Sequence, residues 1–326
     1  MTKHHLPVMA TLIAAIAAAA AAAFAADPYP NRPVKLVVPF APGGTTDIVA
    51  RVVTSKIQDS FGQPMVVENR AGAGGIIGAG ETARATPDGY NLGVATVSTI
   101  ATAPAMEPNV PYDPVKDFTP IINIAATPNV ITVHPSFPAR DYKAFIAELK
   151  KNPDKYTYAS TGTGSITHMQ MELFKARTGV SMVHVPYKGA GPALNDEIAG
   201  HVLVMLDNLP SSLPYIKEGK LIPIVVAADK RVAPLPDVPT LAEVGLPEVN
   251  RMAFYGIYGP KNLPPEVVSK VNAAVKKSLQ DANVKDRIEQ TGSVIIGNTP
   301  AEFAQQIKSE FEVYKKLAVD QHLKPQ

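Results

Sequence analysis

Four times along the chain, an apolar strand-like run is followed by a turn of small residues and then by a helix-like pattern. The clearest unit is VKLVVPFAPGGTTD at 34–47, where a β-branched run ends at Pro39, glycines follow, and Thr45 and Asp47 open a helix. Alternating strands and helices predict mainly parallel sheets covered by helices, an α/β architecture. Because crossovers are right-handed, the turns gather at one edge of each sheet, where α/β proteins bind ligands.

The other three units have the same order of strand, small-residue turn and helix. They lie at 65–85, 156–177 and 181–199. Glycines allow a close backbone approach, and the first turn of a helix offers unpaired N–H groups and a positive dipole end to an anion. Any βα loop needs the same residues for turn geometry and capping, so one turn alone does not separate the two explanations. Four turns in one chain favour anion binding.

The anion expected at these turns is a carboxylate. No G-x-x-x-x-G-K-[ST] phosphate loop is present, and the spacing of Gly72, Gly74 and Gly78 does not fit a dinucleotide fingerprint. We therefore expect neither a nucleotide nor another cofactor.

Further elements follow from local patterns. Apolar runs at 121–126 and 129–133 show little alternation, which predicts two buried, parallel strands. Capping-box pairs at Thr240 with Glu243 and at Thr299 with Glu302 predict two more helices.

The first 25 residues have the pattern of a secretory signal peptide. Lys3 precedes an alanine-rich apolar run at 6–23, and Ala23-Phe24-Ala25 fits a small-x-small cleavage site. We expect cleavage after Ala25. The alternative is an uncleaved membrane anchor, because the run is about as long as a marginal span.

Composition excludes several classes of function. The remaining chain predicts two domains on a soft prior of ~150 residues each. The absence of cysteine excludes disulfides, thiolate metal sites and a cysteine nucleophile. A net charge of +2, with Lys and Arg dispersed, predicts no nucleic-acid partner. No nucleophile elbow, H-E-x-x-H or histidine pair at ligand spacing is present, so we expect no metal site and no enzyme activity.

Four side chains near the turns each allow two interpretations. Asp47 is a partner of the helix dipole or a polar group that meets an amine or hydroxyl of a ligand. Phe40 is a core residue or an apolar pocket wall, and His168 is a structural histidine or a ligand contact. Asp207 ends an apolar run, and we expect it to face a cleft because an unpaired carboxylate is costly in a core.

Several longer stretches resemble one family. They are PFAPGGTTD at 39–47, ENRAGAGGIIG at 68–78, PDGY at 87–90, YASTGTGSITHM at 158–169, HVPYKGAGPAL at 184–194 and PTLAEVGLPE at 239–248. In this order they resemble the substrate-binding receptors of tripartite tricarboxylate transporters, the Bug family, over essentially the whole mature chain.

The resemblance implies a periplasmic, monomeric receptor with the two-lobed fold of periplasmic binding proteins. One lobe would contain residues 26–126 and 252–326, and the other residues 127–251. The two hinge crossings would lie near Ala125–Asn129 and Asn250–Tyr255. Each lobe would be a mainly parallel sheet flanked by helices.

The resemblance also implies that turn amides and hydroxyls hold a small carboxylate, without a metal. The residues that it assigns to ligand binding are Phe40, Gly43, Gly44, Thr45, Asp47, Thr96 and Ser98 in the first lobe, and Ser160, Thr161, Gly162, Ser165, His168 and, at the rim, Asp207 in the second. The partner would be a membrane permease with one large and one small subunit. The alternatives are a secreted α/β enzyme acting on a carboxylated metabolite and a ligand-sensing accessory to a two-component system.

Overall fold

The computed structural model describes residues 29–321, so the predicted signal peptide at 1–25 lies outside the described residues. Within this range the strands are β1 (Val34–Val38), β2 (Met65–Asn69), β3 (Asn91–Thr96), β4 (Phe118–Thr127), β5 (Asn129–Val133), β6 (Thr157–Ser160), β7 (Val183–Pro186), β8 (Val204–Asn208), β9 (Ile222–Ala227), β10 (Ala253–Pro260) and β11 (Val294–Ile295). The α-helices are α1 (Thr45–Thr54), α2 (Gln58–Phe61), α3 (Ile76–Ala83), α4 (Ala103–Met106), α5 (Tyr142–Lys151), α6 (Ile166–Thr178), α7 (Ala190–Ile198), α8 (Leu209–Lys217), α9 (Pro265–Leu279), α10 (Ala282–Glu289) and α11 (Pro300–Asp320).

The strands form two separate sheets. The first has the order β11-β4-β10-β3-β1-β2, and the second has the order β7-β6-β8-β5-β9. The chain passes from the first sheet to the second at Pro128, between β4 and β5, and returns between β9 and β10. The predicted two-lobed α/β fold is confirmed.

The prediction that the runs at 121–126 and 129–133 are parallel strands is wrong. β4 is antiparallel to β10 and β11, and β5 is antiparallel to β8 and β9. β4 and β10 are antiparallel because the chain leaves the first sheet at the end of β4 and returns to it at the start of β10, where Ala253 lies opposite Thr127. Among the strands within residues 29–321, parallel pairs are β1 with β2 and β3, and β6 with β7 and β8, so both sheets are mixed rather than mainly parallel.

Three local features differ from the sequence pattern or add to it. The helix that begins at Thr45 breaks after Thr54, and the short helix α2 follows it as a separate element. A π-helical turn at Ser98–Thr102, which leads into α4, was not predicted. Thr240 and Glu243 make both capping-box hydrogen bonds, but the segment is only a turn because Gly245 and Pro247 leave no room for a helix. The capping box at the start of α11 is confirmed.

Each sheet packs its helices over its own hydrophobic core. In the first lobe, Leu36 and Leu92 pack with residues of α1 and α9, and in the second lobe Phe145 and Phe174 are fully buried beside Tyr158. Burying one such side chain stabilises the fold by roughly 1.5–3 kcal/mol, so each lobe has its own apolar support. No helix within residues 29–321 is long and apolar enough to cross a membrane.

Candidate functional site

A small cavity of about 20 Å³, room for little more than one water molecule, lies between the two lobes. Its walls come from both lobes. The lining residues are Phe40, Gly44, Thr45, Thr46, Thr96, Val97, Ser98, Thr161, Ile166, Ala190, Asn208, Ala253, Phe254 and Tyr255.

Four helices begin at this cavity. Thr45 and Thr46 open α1, Ile166 is the first residue of α6, Ala190 is the first residue of α7, and Asn208 is the N-cap of α8. The first amides of a helix have no carbonyl acceptor in their own helix, and the dipole gives that end a partial positive charge. The fold thus directs four positive helix ends towards one small space.

Hydroxyl groups from one lobe meet helix amides of the other. The Ser211 amide in α8 donates to Thr45 Oγ1 at 3.1 Å, and the Ile166 amide at the start of α6 donates to Ser98 Oγ at 3.0 Å. The Thr102 hydroxyl also donates to the carbonyl of Gly164, at 2.7 Å. The two lobes are therefore in direct contact around the cavity.

The backbones of the two lobes approach most closely at two glycines. A Cβ on Gly191 would lie 2.2 Å from the Pro42 oxygen, and one on Gly74 would lie 2.2 Å from the Thr163 oxygen. Both obstructing atoms belong to the opposite lobe. Glycine at these positions allows the two lobes to come into contact. Gly74 has a second reason to be glycine, because its φ of 60° lies in the left-handed region.

The lining of the cavity carries no formal charge. Among the described residues, no Lys, Arg or His lines it, and the polar groups are hydroxyls, one amide and main-chain atoms. Burial holds the pKa of the Tyr255 phenol well above its usual range, with hydroxyls of Thr46 and Thr45 beside it, so Tyr255 is a neutral group. A ligand here would meet neutral donors and helix ends.

Six of the residues expected at the site line the cavity: Phe40, Gly44, Thr45, Thr96, Ser98 and Thr161. Gly43, Asp47, Ser160, Gly162, Ser165, His168 and Asp207 lie outside its lining.

Asp47 supports the first turn from within. Its Oδ2 accepts the Gly43 amide at 3.2 Å, and its Oδ1 accepts from Arg51 at 2.9 Å and from Asn69 at 3.0 Å. All its bonds stay within the first lobe, as expected for a partner of the helix start.

His168 and Ser160 brace the turn that carries Thr161. His168 Nδ1 accepts a hydrogen bond from the Gly164 amide at 3.2 Å, and Ser160 Oγ accepts one from the Gly162 amide at 3.1 Å.

Ser160 also forms a hydrogen bond with His184 Nε2 at 2.6 Å, and the His168 and His184 rings stack with centroids 4.0 Å apart. Burial lowers the pKa of His184 to about 3 and also lowers that of His168, so both rings are neutral at pH 7. Ser165 caps α6 by accepting the His168 amide.

Asp207 is the one candidate whose expected placement is wrong. It is completely buried instead of lying at the rim of the cleft. The hydroxyls of Ser211 and Ser212 each donate to its Oδ2 at 2.6 Å, which compensates part of the cost of burial. The sequence signal was present, since two serines follow the acid at one helical turn.

Sequence reasoning missed eight lining residues: Thr46, Val97, Ile166, Ala190, Asn208, Ala253, Phe254 and Tyr255. Two of them, Ile166 and Ala190, lie within the predicted units at 156–177 and 181–199. The segment Ala253–Tyr255 was expected only as a crossing between lobes, and its position against the cavity depends on the pairing of β10 with β4.

No group of three or more His, Asp or Glu side chains in the described part of the chain could hold a metal ion. The chemistry offered by the cavity is hydrogen bonding by neutral donors and attraction of an anion by helix ends.

Comparison with known proteins agrees with this geometry. The profile of the tripartite tricarboxylate transporter family receptor matches residues 49–321. Protein BugT of Bordetella pertussis is 36% identical over 277 residues, which are 85% of this chain and 85% of BugT.

Three solved structures share the fold over nearly their whole length. One, described as a periplasmic transporter, is 49% identical with a TM-score of 0.89 and covers 91% of this chain and 99% of its own. MatC from Rhodopseudomonas palustris with bound malate is 35% identical, with a TM-score of 0.85 and coverage of 88% and 99%. An R. palustris protein with adipate is 34% identical, with a TM-score of 0.87 and coverage of 91% and 100%. Sequence profile, relatives and fold agree that this chain belongs to the receptor family of the tripartite tricarboxylate transporters.

Proposed function

We propose that the protein is an exported receptor that binds a small carboxylate in the cavity between its lobes. After cleavage of the signal peptide behind Ala25 it would act in the periplasm and deliver the acid to a membrane permease with one large and one small subunit. The observation that carries the proposal is the convergence of four helix N-termini on a cavity without charged side chains.

The energetics favour a carboxylate over a neutral solute. A hydrogen bond to a charged group contributes about 1.5–3 kcal/mol, roughly twice a neutral one, and a helix N-terminus adds about 0.3–1 kcal/mol. Thr45, Thr46 and Ala190 bring such amides to the cavity, and Thr96 and Thr161 add hydroxyl groups. A carboxylate offers acceptors to several of these donors at once.

The relatives support the same chemistry. One structural relative holds malate and another holds adipate, and both are small organic acids. We infer that this chain also takes a mono- or dicarboxylate. The family's receptors are solute-binding proteins, which favours binding over catalysis.

Ligand binding would be coupled to hinge closure. We propose that residues 26–126 and 252–326 move against residues 127–251, with hinges at the crossings between β4 and β5 and before β10. The contacts of Thr45 with Ser211 and of Ser98 with Ile166 then belong to the closed state, which an acid between the lobes would stabilise. One chain supplies both walls, so a monomer suffices.

The test is a thermal-shift screen of organic acids, amino acids and aromatic acids, followed by calorimetry. Each acid is paired with its primary amide, which keeps the shape and removes the charge. The proposal expects at least one acid to raise the melting temperature, its amide to fail, and the acid to be recovered chemically unchanged. Stabilisation by amides and acids alike, or conversion of the acid, would contradict it.

A further inference from the structure

Two carboxyl groups are buried together in the second lobe, behind the cavity. Asp207 lies on β8, one residue before its end, and Glu197 lies on α7; neither has any solvent exposure. Thr132 on β5 donates to Glu197 Oε1 at 2.8 Å, and Val130, two residues earlier on β5, pairs with Asp207. In each acid the second oxygen, Oδ1 of Asp207 and Oε2 of Glu197, has no hydrogen-bond partner.

The surroundings of this pair contain acids, a phenol and hydroxyls. Asp207 faces Ser211 and Ser212 on α8, Tyr255 on β10 and Glu197 on α7. Among the described residues, no ammonium or guanidinium group forms an ion pair with either acid. A buried carboxylate without a cation favours its neutral form.

Burial affects the two acids unequally. It raises the pKa of Glu197 to about 8, with the neighbouring Asp207 adding to the effect. It raises the pKa of Asp207 to about 6, less far because two serine hydroxyls and the Asn208 amide stabilise its charge. Of the two acids, Glu197 therefore holds its proton more firmly, and Asp207 is the one that more readily carries the negative charge at pH 7.

Asp207 is connected to the cavity by one hydroxyl group. Ser211 Oγ lies 2.6 Å from Asp207 Oδ2 and 2.8 Å from Thr45 Oγ1, and Thr45 lines the cavity. The next residue, Asn208, lines the cavity too. A carboxylate bound in the cavity would lie close to the negative charge of Asp207, with protein rather than water between the two groups. Repulsion between these two carboxylates favours protonation of one of them.

We propose that Asp207 is a proton-binding site coupled to the cavity, so that binding of a carboxylate is accompanied by uptake of one proton from solvent onto Asp207. The unpartnered Oδ1 receives the proton, while Oδ2 keeps its two serine donors. This inference rests on the proposed function, because it needs an anion in the cavity. It adds that the receptor binds an acid and a proton together.

Titration calorimetry in buffers of different ionisation enthalpy measures this uptake directly. The probes are malate, adipate and the most stabilising acid of the screen, each titrated at pH 7 in PIPES, HEPES and Tris. We expect the apparent enthalpy to vary with the buffer and to give about half to one proton taken up per acid bound. The dissociation constant should rise with pH between 6 and 8, by up to about tenfold per unit.

Two variants assign the proton. Asp207→Asn keeps an acceptor for Ser211 and Ser212 but cannot titrate, so its binding enthalpy should no longer depend on the buffer. Glu197→Gln, the matched control, replaces an already neutral group and should keep the uptake. Asp207→Asn taking up as many protons as the wild type would overturn the assignment.

If Asp207→Asn does not fold, titrations of the wild-type protein alone still test proton coupling. Binding heat that is identical in all three buffers, with a dissociation constant independent of pH, refutes proton coupling and leaves carboxylate binding intact. Absence of binding by every acid refutes the proposed function itself.

Discussion

Gly191→Ala should block closure of the lobes without disturbing either of them. Gly191 lies in α7, and a Cβ there would approach the Pro42 oxygen of the first lobe to 2.2 Å, about 1 Å inside van der Waals contact. Its φ does not lie in the left-handed region, so alanine adds no backbone strain. The methyl group therefore meets an obstacle only when the lobes are together.

The cost can be estimated from the contact. Overpacking by one methyl group costs about 1–3 kcal/mol, and the lobes can relieve it only by separating. Separation weakens the neighbouring bond from the Ala41 amide to the Lys188 carbonyl, now 3.0 Å long. A loss of about 2 kcal/mol in the closed state corresponds to a dissociation constant roughly 30-fold higher.

The assay is calorimetric titration of the best acid from the screen, with melting curves of the ligand-free proteins. Gly80→Ala is the control, since its methyl group on α3 would meet the flexible end of Arg84 at 3.1 Å and Pro111 Cγ at an ordinary contact distance of 3.5 Å. Gly44→Ala should have an effect between those of these two variants, because its Cβ would lie 3.2 Å from Ala190 Cβ. We expect its dissociation constant to rise by less than about fivefold. A folded Gly191→Ala protein that binds within twofold of the wild type would refute closure at this contact.

Three further changes test other parts of the structure. Ser98→Ala leaves the Ile166 amide without its acceptor, and a cost of about 1–3 kcal/mol should raise the dissociation constant at least fivefold in titration calorimetry. Glu197→Gln should make the free energy of unfolding less dependent on pH. The pKa of Glu197 is about 8 in the folded protein, above its value in the unfolded chain, so the wild type should lose about 3 kcal/mol of its free energy of unfolding between pH 4.5 and 7. The variant should not show this loss in urea denaturation. Asp141→Ala removes the N-cap that accepts the Ala144 amide of α5, and should lower the free energy of unfolding by about 1 kcal/mol in urea without changing ligand affinity. An altered affinity in Asp141→Ala would contradict its purely local role.

Local patterns were sufficient for most of the elements. β1 begins after Pro33 and ends before Pro39, and β2 begins after Pro64 and ends at Asn69, because a β-branched run bounded by Pro or Asn has few alternatives. The resemblance to the receptor family, rather than any local pattern, assigned the six predicted ligand-binding residues that line the cavity.

The features that the sequence did not predict depend on pairing between strands that are far apart in the chain. The antiparallel direction of β4 and the position of Tyr255 at the cavity both follow from β10 returning from the other lobe, which no local pattern records. His168 was placed beside the correct turn, but the stack with His184 that fixes its role joins residues from two separate units.

The most direct test of the account is a crystal structure of the protein with the acid that the screen identifies. The account predicts the carboxylate between the lobes, within hydrogen-bond distance of amides at the starts of α1 and α7 and of hydroxyls such as those of Thr96 and Thr161. An acid lodged elsewhere, or held chiefly by a Lys or Arg side chain or by a metal ion, would contradict it.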